Sequence, residues 1–135
     1  DYFKFAFVRN PFDRAVSIWK YYNAWVNKHS KEKVNLTFKE TICAENEKIN
    51  QKKFKSKYGS QFLFTQGCDF IGKYENIQED FNTVCDKIGI QQQQLPQKNK
   101  SKHKHYSEYY DDETKQIVSE IYAKDIEYFK YKFGE

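Results

Sequence analysis

Long apolar runs are missing from this chain. A membrane-spanning helix needs about 18 or more consecutive apolar residues, and no such stretch occurs. The N-terminus also lacks the charged start and apolar centre of a secretory signal. Cysteine is scarce: Cys43, Cys68 and Cys85 are an odd set without a Cys-x-x-Cys pair, which signals neither a zinc site nor a disulfide framework. They read as ordinary thiols that pack as small hydrophobes. Charge of one sign is limited too, since 23 Lys and Arg against 19 Asp and Glu leave a net +4. That balance suits an anionic ligand without demanding a polyanion. No cluster with metal-ligand spacing is visible, and none is expected.

Aromatic residues are plentiful. Phe and Tyr dominate an aromatic content of 19%, so the mean hydropathy of -0.98 reflects Lys, Asn and Gln rather than a missing core. At 135 residues the chain is one domain or part of one, large enough to bury a core but small for an enzyme with two substrates. It begins abruptly at "DYFKFAF", inside an apparent buried strand, and reads as an excerpt of a longer polypeptide.

Phe3 to Val8 alternates β-favouring residues and is expected to be a buried strand. Asn10 offers an N-cap and Pro11 suits a first helical position. Phe12, Ala15, Val16, Trp19, Tyr22, Asn23 and Val26 share one side at 100° per residue, predicting an amphipathic helix from Pro11 to about Lys28. Ser17 lies almost opposite, among Asp13, Arg14, Tyr21 and Lys28. Thr37 with Glu40 is a capping-box signature for a short helix to about Ala44, followed by a lysine-rich connection to Ser60. "QFLFTQ" suggests a short buried segment, and Asp69 to Glu75 a second strand. Asn76 is expected to cap a helix that Gly89 ends. The glutamines 91 to 94 read as a loop insertion. Asp111 or Asp112 starts a last helix in which Ile117, Val118, Ile121, Tyr122 and Asp125 recur at helical spacing. The order points to α/β with partly parallel strands, and two strands alone make a poor sheet.

A strand that ends and feeds a helix delivers its last residues to the edge where open α/β sheets bind ligands. Arg9 sits at that exit. Its guanidinium offers a bidentate fork to phosphate oxygens, and the Ser17 hydroxyl a further donor. On spacing alone, the alternative is that Arg9 pairs with Asp13 and Ser17 is a solvated helix residue.

The segment "FVRNPFDRAVSIW" resembles the 3′-phosphate-binding segment of Golgi-type carbohydrate sulfotransferases, the family 2 group that includes chondroitin and dermatan 4-O-sulfotransferases. Arg9, Asn10, Pro11, Arg14, Val16 and Ser17 carry that likeness. "DFIGKYENIQEDF", "LPQKNKS" and "YYDDETKQIVSEIYAKDIEYFKYKF" are similar to three further blocks of the family, in order, so the resemblance spans Phe5 to Phe133. It implies a P-loop-NTPase-like parallel sheet flanked by helices, truncated at its N-terminus, with residues 1–135 as one partial sulfotransferase domain. The implied co-substrate is 3′-phosphoadenosine 5′-phosphosulfate, with no metal, and Arg9 and Ser17 would hold its 3′-phosphate. Arg14 is either a further ligand or a structural ion-pair partner. Lys98, Ser101 and Lys102 fall in the late loop that closes over the donor or lines the acceptor cleft; the alternative is a solvated charge run. Gln97 replaces the family's His after Leu-Pro.

Family members also carry a loop for the 5′-phosphosulfate, and the five glycines here never form a Gly-x-x-x-x-Gly-Lys pattern. The excerpt alone is therefore expected to be inactive. The implied reaction is sulfuryl transfer to a carbohydrate hydroxyl. No catalytic base is assigned; His29, His103 and His105 are weak candidates against a solvated default. Glu75 and Asp125 match family positions and read as structural partners. The implied partners are a carbohydrate acceptor and no nucleic acid, with membrane attachment only through an anchor outside this chain. The resemblance places a eukaryotic protein in the Golgi lumen and a bacterial one in the cytoplasm. Asn35-Leu36-Thr37 and Asn99-Lys100-Ser101 match the glycosylation acceptor pattern, a weak pointer to a lumenal setting. Alternatives are a non-catalytic relative serving as an interaction module, a basic aromatic nucleic-acid module with Lys98 to His105 on phosphates, or a nucleotide kinase preferring ATP with magnesium.

Overall fold

The computed structural model describes residues 2–51, 60–96 and 104–135. Its elements are β1 (Phe5–Val8), α1 (Pro11–His29), α2 (Phe38–Asn50), α3 (Gln61–Thr65), β2 (Phe70–Lys73), α4 (Ile77–Ile88), α5 (Asp112–Ile121) and α6 (Ala123–Phe129), with 3-10 turns at Tyr74–Asn76 and Tyr106–Tyr109. The architecture is mixed α/β and mostly helical, with one two-stranded parallel sheet among the described residues.

Local signals set the starts of α1, α2 and α5. The Asn10 side-chain oxygen accepts the Phe12 N–H at 3.1 Å, and Pro11 takes the first helical position of α1. Thr37 and Glu40 close a reciprocal capping box at 3.2 and 3.0 Å. Gly89, at φ 78°, ends α4 in the left-handed region. Two expectations shift here. The second helix runs past Ala44 to Asn50, because its polar residues solvate one helical face rather than breaking the helix. The remainder of the lysine-rich connection, residues 52–59, lies outside the described residues. Asn76 holds the N-cap position of α4 as expected, but its side chain makes no capping bond; a 3-10 turn leads into the helix, and Asp80 accepts the Lys73 N–H at 2.6 Å.

The main core joins α1, α2, α5 and the Tyr106 turn around Phe12, Val16, Phe38, Ile42, Val118 and Tyr122. Each such fully buried apolar side chain stabilises the fold by about 1.5–3 kcal/mol. Trp19, Tyr22, Asn23 and Val26 continue the α1 stripe but are only half-buried. A second, smaller core of Val8, Phe129 and Tyr131 lies by the sheet. The first strand begins at Phe5 rather than Phe3, and only Val8 in it is fully buried. The ladder pairs Phe5 with Phe70 through to Val8 with Lys73, so Gly72 faces Phe7. A Cβ added at Gly72 would lie 2.5 Å from the Phe7 ring, which explains a glycine inside a strand. The three cysteines are free thiols, and Cys85 is fully buried.

Two further corrections concern α3 and the C-terminal helix. "QFLFTQ" is helical, and its buried residues are Gln61 and Thr65, whereas Leu63 and Phe64 are 69% and 52% exposed. The last helix breaks at Tyr122 into α5 and α6, and the break sets Asp125 against α3. Asp125 is fully buried and accepts from Ser60 Oγ at 2.7 Å and from the Gln61 and Phe62 N–H groups at 2.8 Å each. A carboxylate from a distant helix thus caps α3, whose own Ser60 side chain supplies no cap. The structural reading of Asp125 holds.

Asp111 caps α5, accepting the Thr114 N–H at 2.8 Å, and Lys39 ties it to α2 at 3.0 Å. The Thr114 N–H first, and then Lys39, hold its carboxyl down to about 2. Its folded-state pKa lies below its ordinary value, so its contribution is present above about pH 4 and is lost as the pH falls towards about 2. In a urea titration series across that window, Asp111→Asn is expected to flatten the pH dependence of stability. Asp125→Ala leaves two helix-end donors and a hydroxyl without their carboxylate and is expected to cost about 3 kcal/mol by chemical denaturation. Gly72→Ala is expected to cost about 1–3 kcal/mol through the clash with Phe7; an unchanged midpoint for either variant would contradict these packing assignments.

Candidate functional site

Where β1 runs out at Val8, the chain turns through Arg9 and Asn10 into α1. The Asn10 carbonyl accepts the Arg14 N–H at 2.8 Å, while the Arg9 N–H and C=O and the Asn10 N–H take their partners from side chains far along the chain. The Gln61 carboxamide pairs with both main-chain groups of Arg9: its Oε1 accepts the Arg9 N–H at 2.8 Å and its Nε2 donates to the Arg9 carbonyl at 2.7 Å. Glu75 Oε1 accepts the Asn10 N–H at 2.6 Å, while its Oε2 accepts the Tyr131 hydroxyl at 2.9 Å. The Tyr131 phenol is raised by burial first and by Glu75 second, which keeps it a donor. Asn10, 1% exposed, also donates through Nδ2 to the Lys132 carbonyl at 3.1 Å and to the Tyr106 hydroxyl at 3.4 Å. Glu75 is thus a structural partner of the turn, as expected.

The Arg9 side chain is fixed on two more sides. Its Nε donates to Asp13 Oδ2 at 2.7 Å, and its guanidinium carbon lies 4.2 Å from the centroid of the Tyr74 ring. Among the described residues that Nε bond is the side chain's only hydrogen bond, so the two Nη nitrogens remain as donors. Beside it opens a cavity of about 340 Å³ lined by Arg9, Asp13, Val16, Ser17, Lys20, Tyr21, Lys104 and Tyr106. Arg9, Lys20, Lys104 and Asp13 are its charged lining residues; Asp13 binds Arg9, and the Lys20 ammonium lies 4.7 Å from the centroid of the Tyr109 ring. Tyr106 forms a wall; its hydroxyl accepts the Gly134 N–H at 2.7 Å and donates to the Glu135 carbonyl at 3.0 Å. Burial is the main cause of its raised pKa, so the phenol stays protonated. The cavity can receive an anion of phosphate charge on Arg9, Ser17 and lysine donors.

The expected pair, Arg9 and Ser17, line one cavity. The Arg9–Asp13 ion pair is present as well, made through Nε. Arg14 does not line the cavity. Lys98, Ser101, Lys102, Gln97 and His103 lie outside the described residues, and so does the Asn99 glycosylation triplet. His29 is exposed and stacks on Trp25, and His105 is exposed and contacts Ser107 at 2.7 Å. Neither lines the cavity.

Sequence reasoning missed Gln61, Tyr74, Lys20, Lys104 and Tyr106. Lys20 follows Ser17 by three residues and was findable from the helical wheel. The others reach the turn through tertiary contacts without a local pattern.

The sulfotransferase family model matches residues 1–132, nearly the whole chain. An uncharacterized protein from Archaeoglobus fulgidus is 32% identical over 91 residues, which are 66% of this chain and 69% of that protein. No solved structure matches. Among the described residues no helix is long and apolar enough to cross a membrane, and no group of His, Cys, Asp and Glu could hold a metal ion. With the Arg-Asn-Pro turn, its cationic cavity and a family match from end to end, the chain belongs to the sulfotransferase family.

Proposed function

We propose that the cavity beside Arg9 receives the 3′-phosphate of 3′-phosphoadenosine 5′-phosphosulfate, and that the protein is a carbohydrate sulfotransferase of the chondroitin/dermatan 4-O-sulfotransferase-like group. The observation that carries this reading is the convergence of Arg9 and Ser17, eight residues apart, on one cavity in which cationic side chains outnumber the single acid, Asp13. Asp13 occupies Nε and Tyr74 covers one face of the guanidinium, an arrangement that orients the remaining Nη donors for bidentate contact. The donor supplies the sulfuryl group for in-line transfer to a sugar hydroxyl. This chain's part is to bind and orient the nucleotide; Lys104, a further lining residue, adds positive charge where phosphate accumulates. The 5′-phosphosulfate end is assigned to residues outside these 135, because no Gly-x-x-x-x-Gly-Lys loop occurs among them. The P-loop-NTPase-like fold belongs to the same reading, supported by the parallel β1–β2 pair with its strand-to-helix turn.

Lys98, Ser101 and Lys102 are proposed to complete the donor site from the late loop, and Arg14 to support it from α1. The acceptor is proposed to be a glycan hydroxyl, with a Golgi lumenal setting in a eukaryotic source and a cytoplasmic one in a bacterial source.

Calorimetric titration of 3′-phosphoadenosine 5′-phosphate into the full-length protein tests the assignment. Micromolar binding is expected, weakened about 10–100-fold in Arg9→Ala by loss of the charge-assisted pair and about 3–10-fold in Ser17→Ala. ADP, without a 3′-phosphate, is expected to bind far more weakly. Binding that ignores both substitutions would place the nucleotide elsewhere.

A further inference from the structure

An arginine that reads a phosphate is useful only if its own backbone is held in place. Arg9 is the first residue past the β1 ladder, and its N–H and C=O have no strand partner there. The Gln61 carboxamide meets both groups, at 2.8 and 2.7 Å, as the peptide of a neighbouring strand would. A carboxamide does this without any change of protonation state, since one bond needs an acceptor and the other a donor. Gln61 is itself 2% exposed and opens α3, where its own N–H is bonded to the fully buried Asp125 at 2.8 Å. Ser60 and Phe62 on either side are bonded to the same carboxylate, so the Gln61 backbone has little freedom. Two side chains from distant segments thus form a line, Asp125 to Gln61 to Arg9, that ends at the cavity.

We propose that Gln61 is a positioning residue for the donor nucleotide: braced by Asp125, it fixes the Arg9 main chain so that the guanidinium meets the 3′-phosphate. This rests on the donor-site reading above. Gln61 does not line the cavity and acts only through Arg9. Its loss therefore acts on recognition of the 3′-phosphate rather than on nucleotide binding in general, whereas a residue that merely supports the fold would lower stability and leave that preference intact.

The test compares the affinities of the full-length protein for 3′-phosphoadenosine 5′-phosphate and adenosine 5′-phosphate, which differ only in the 3′-phosphate. The wild type is expected to prefer the former strongly. Gln61→Leu, similar in size but unable to bond either Arg9 group, is expected to reduce that preference about tenfold or more. In an Arg9→Ala background the same substitution is expected to change the preference little, because its route of action is gone. If Gln61→Leu does not fold, Gln61→Met is read in the same way; it is unbranched like glutamine and offers no carboxamide to either Arg9 group. A folded Gln61 variant with the wild-type preference would overturn the inference while leaving the donor site standing. A wild type indifferent to the 3′-phosphate would overturn the donor-site reading and the role of Gln61 with it. Hydrogen exchange of the Arg9 amide in the free protein checks the pairing without any ligand: slow exchange is expected, and fast exchange would overturn it.

Discussion

A strand that passes straight into a helix leaves main-chain groups that neither element can satisfy, and the protein is organised around that constraint at Arg9 and Asn10. Water could solvate such groups on an open surface, but Asn10 is 1% exposed and its neighbourhood is packed. Unpaired, each would cost about 1–3 kcal/mol. The partners come instead from Gln61 and Glu75, side chains supplied by segments far along the chain. Gln61 must then be held, which falls to Asp125, and Glu75 is steadied by Tyr131. The C-terminal helices and tail are tied in this way to the first turn of the chain.

The aromatic residues contribute to the same assembly. Phe12, Tyr106, Tyr110 and Phe133 meet edge to face with centroids 5.1 to 6.4 Å apart, which joins α1 to the Tyr106 turn and to the C-terminal tail. Tyr110 also donates to the Phe12 carbonyl at 2.7 Å. Tyr106 and Val16 connect core and cavity: both belong to the main core, and both line the site. A chain with a modest aliphatic content therefore builds a firm floor beneath a charged pocket.

Asp13 shows how an acid can belong in an anion site. Placed one turn beyond Arg9, it takes the Nε donor and fixes the orientation of the guanidinium. Among the described residues the Nη donors remain, and Lys20 and Lys104 are further basic residues of the lining. An arginine held at its backbone, its Nε and one ring-covered face loses little further side-chain freedom when an anion arrives.

Local sequence by itself determined the starts of α1, α2 and α5, the end of α4 at Gly89, and the place of Arg9 at a strand exit with Ser17 off the core face of the following helix. Each follows from interactions within a few residues, such as an N-cap, a capping box or a helical repeat, and these survive any tertiary arrangement. The long-range pattern of four blocks likewise made the sulfotransferase family legible. Only the tertiary structure decided that "QFLFTQ" buries its glutamine and exposes its leucine, that the last helix breaks at Tyr122, and that Tyr74, Lys104 and Tyr106 join the site. Those outcomes depend on partners dozens of residues away: a buried carboxylate that needs donors, and a turn that needs an amide. No local period encodes such pairings, because hydrogen-bond complementarity between distant segments exists only once the fold has brought them together.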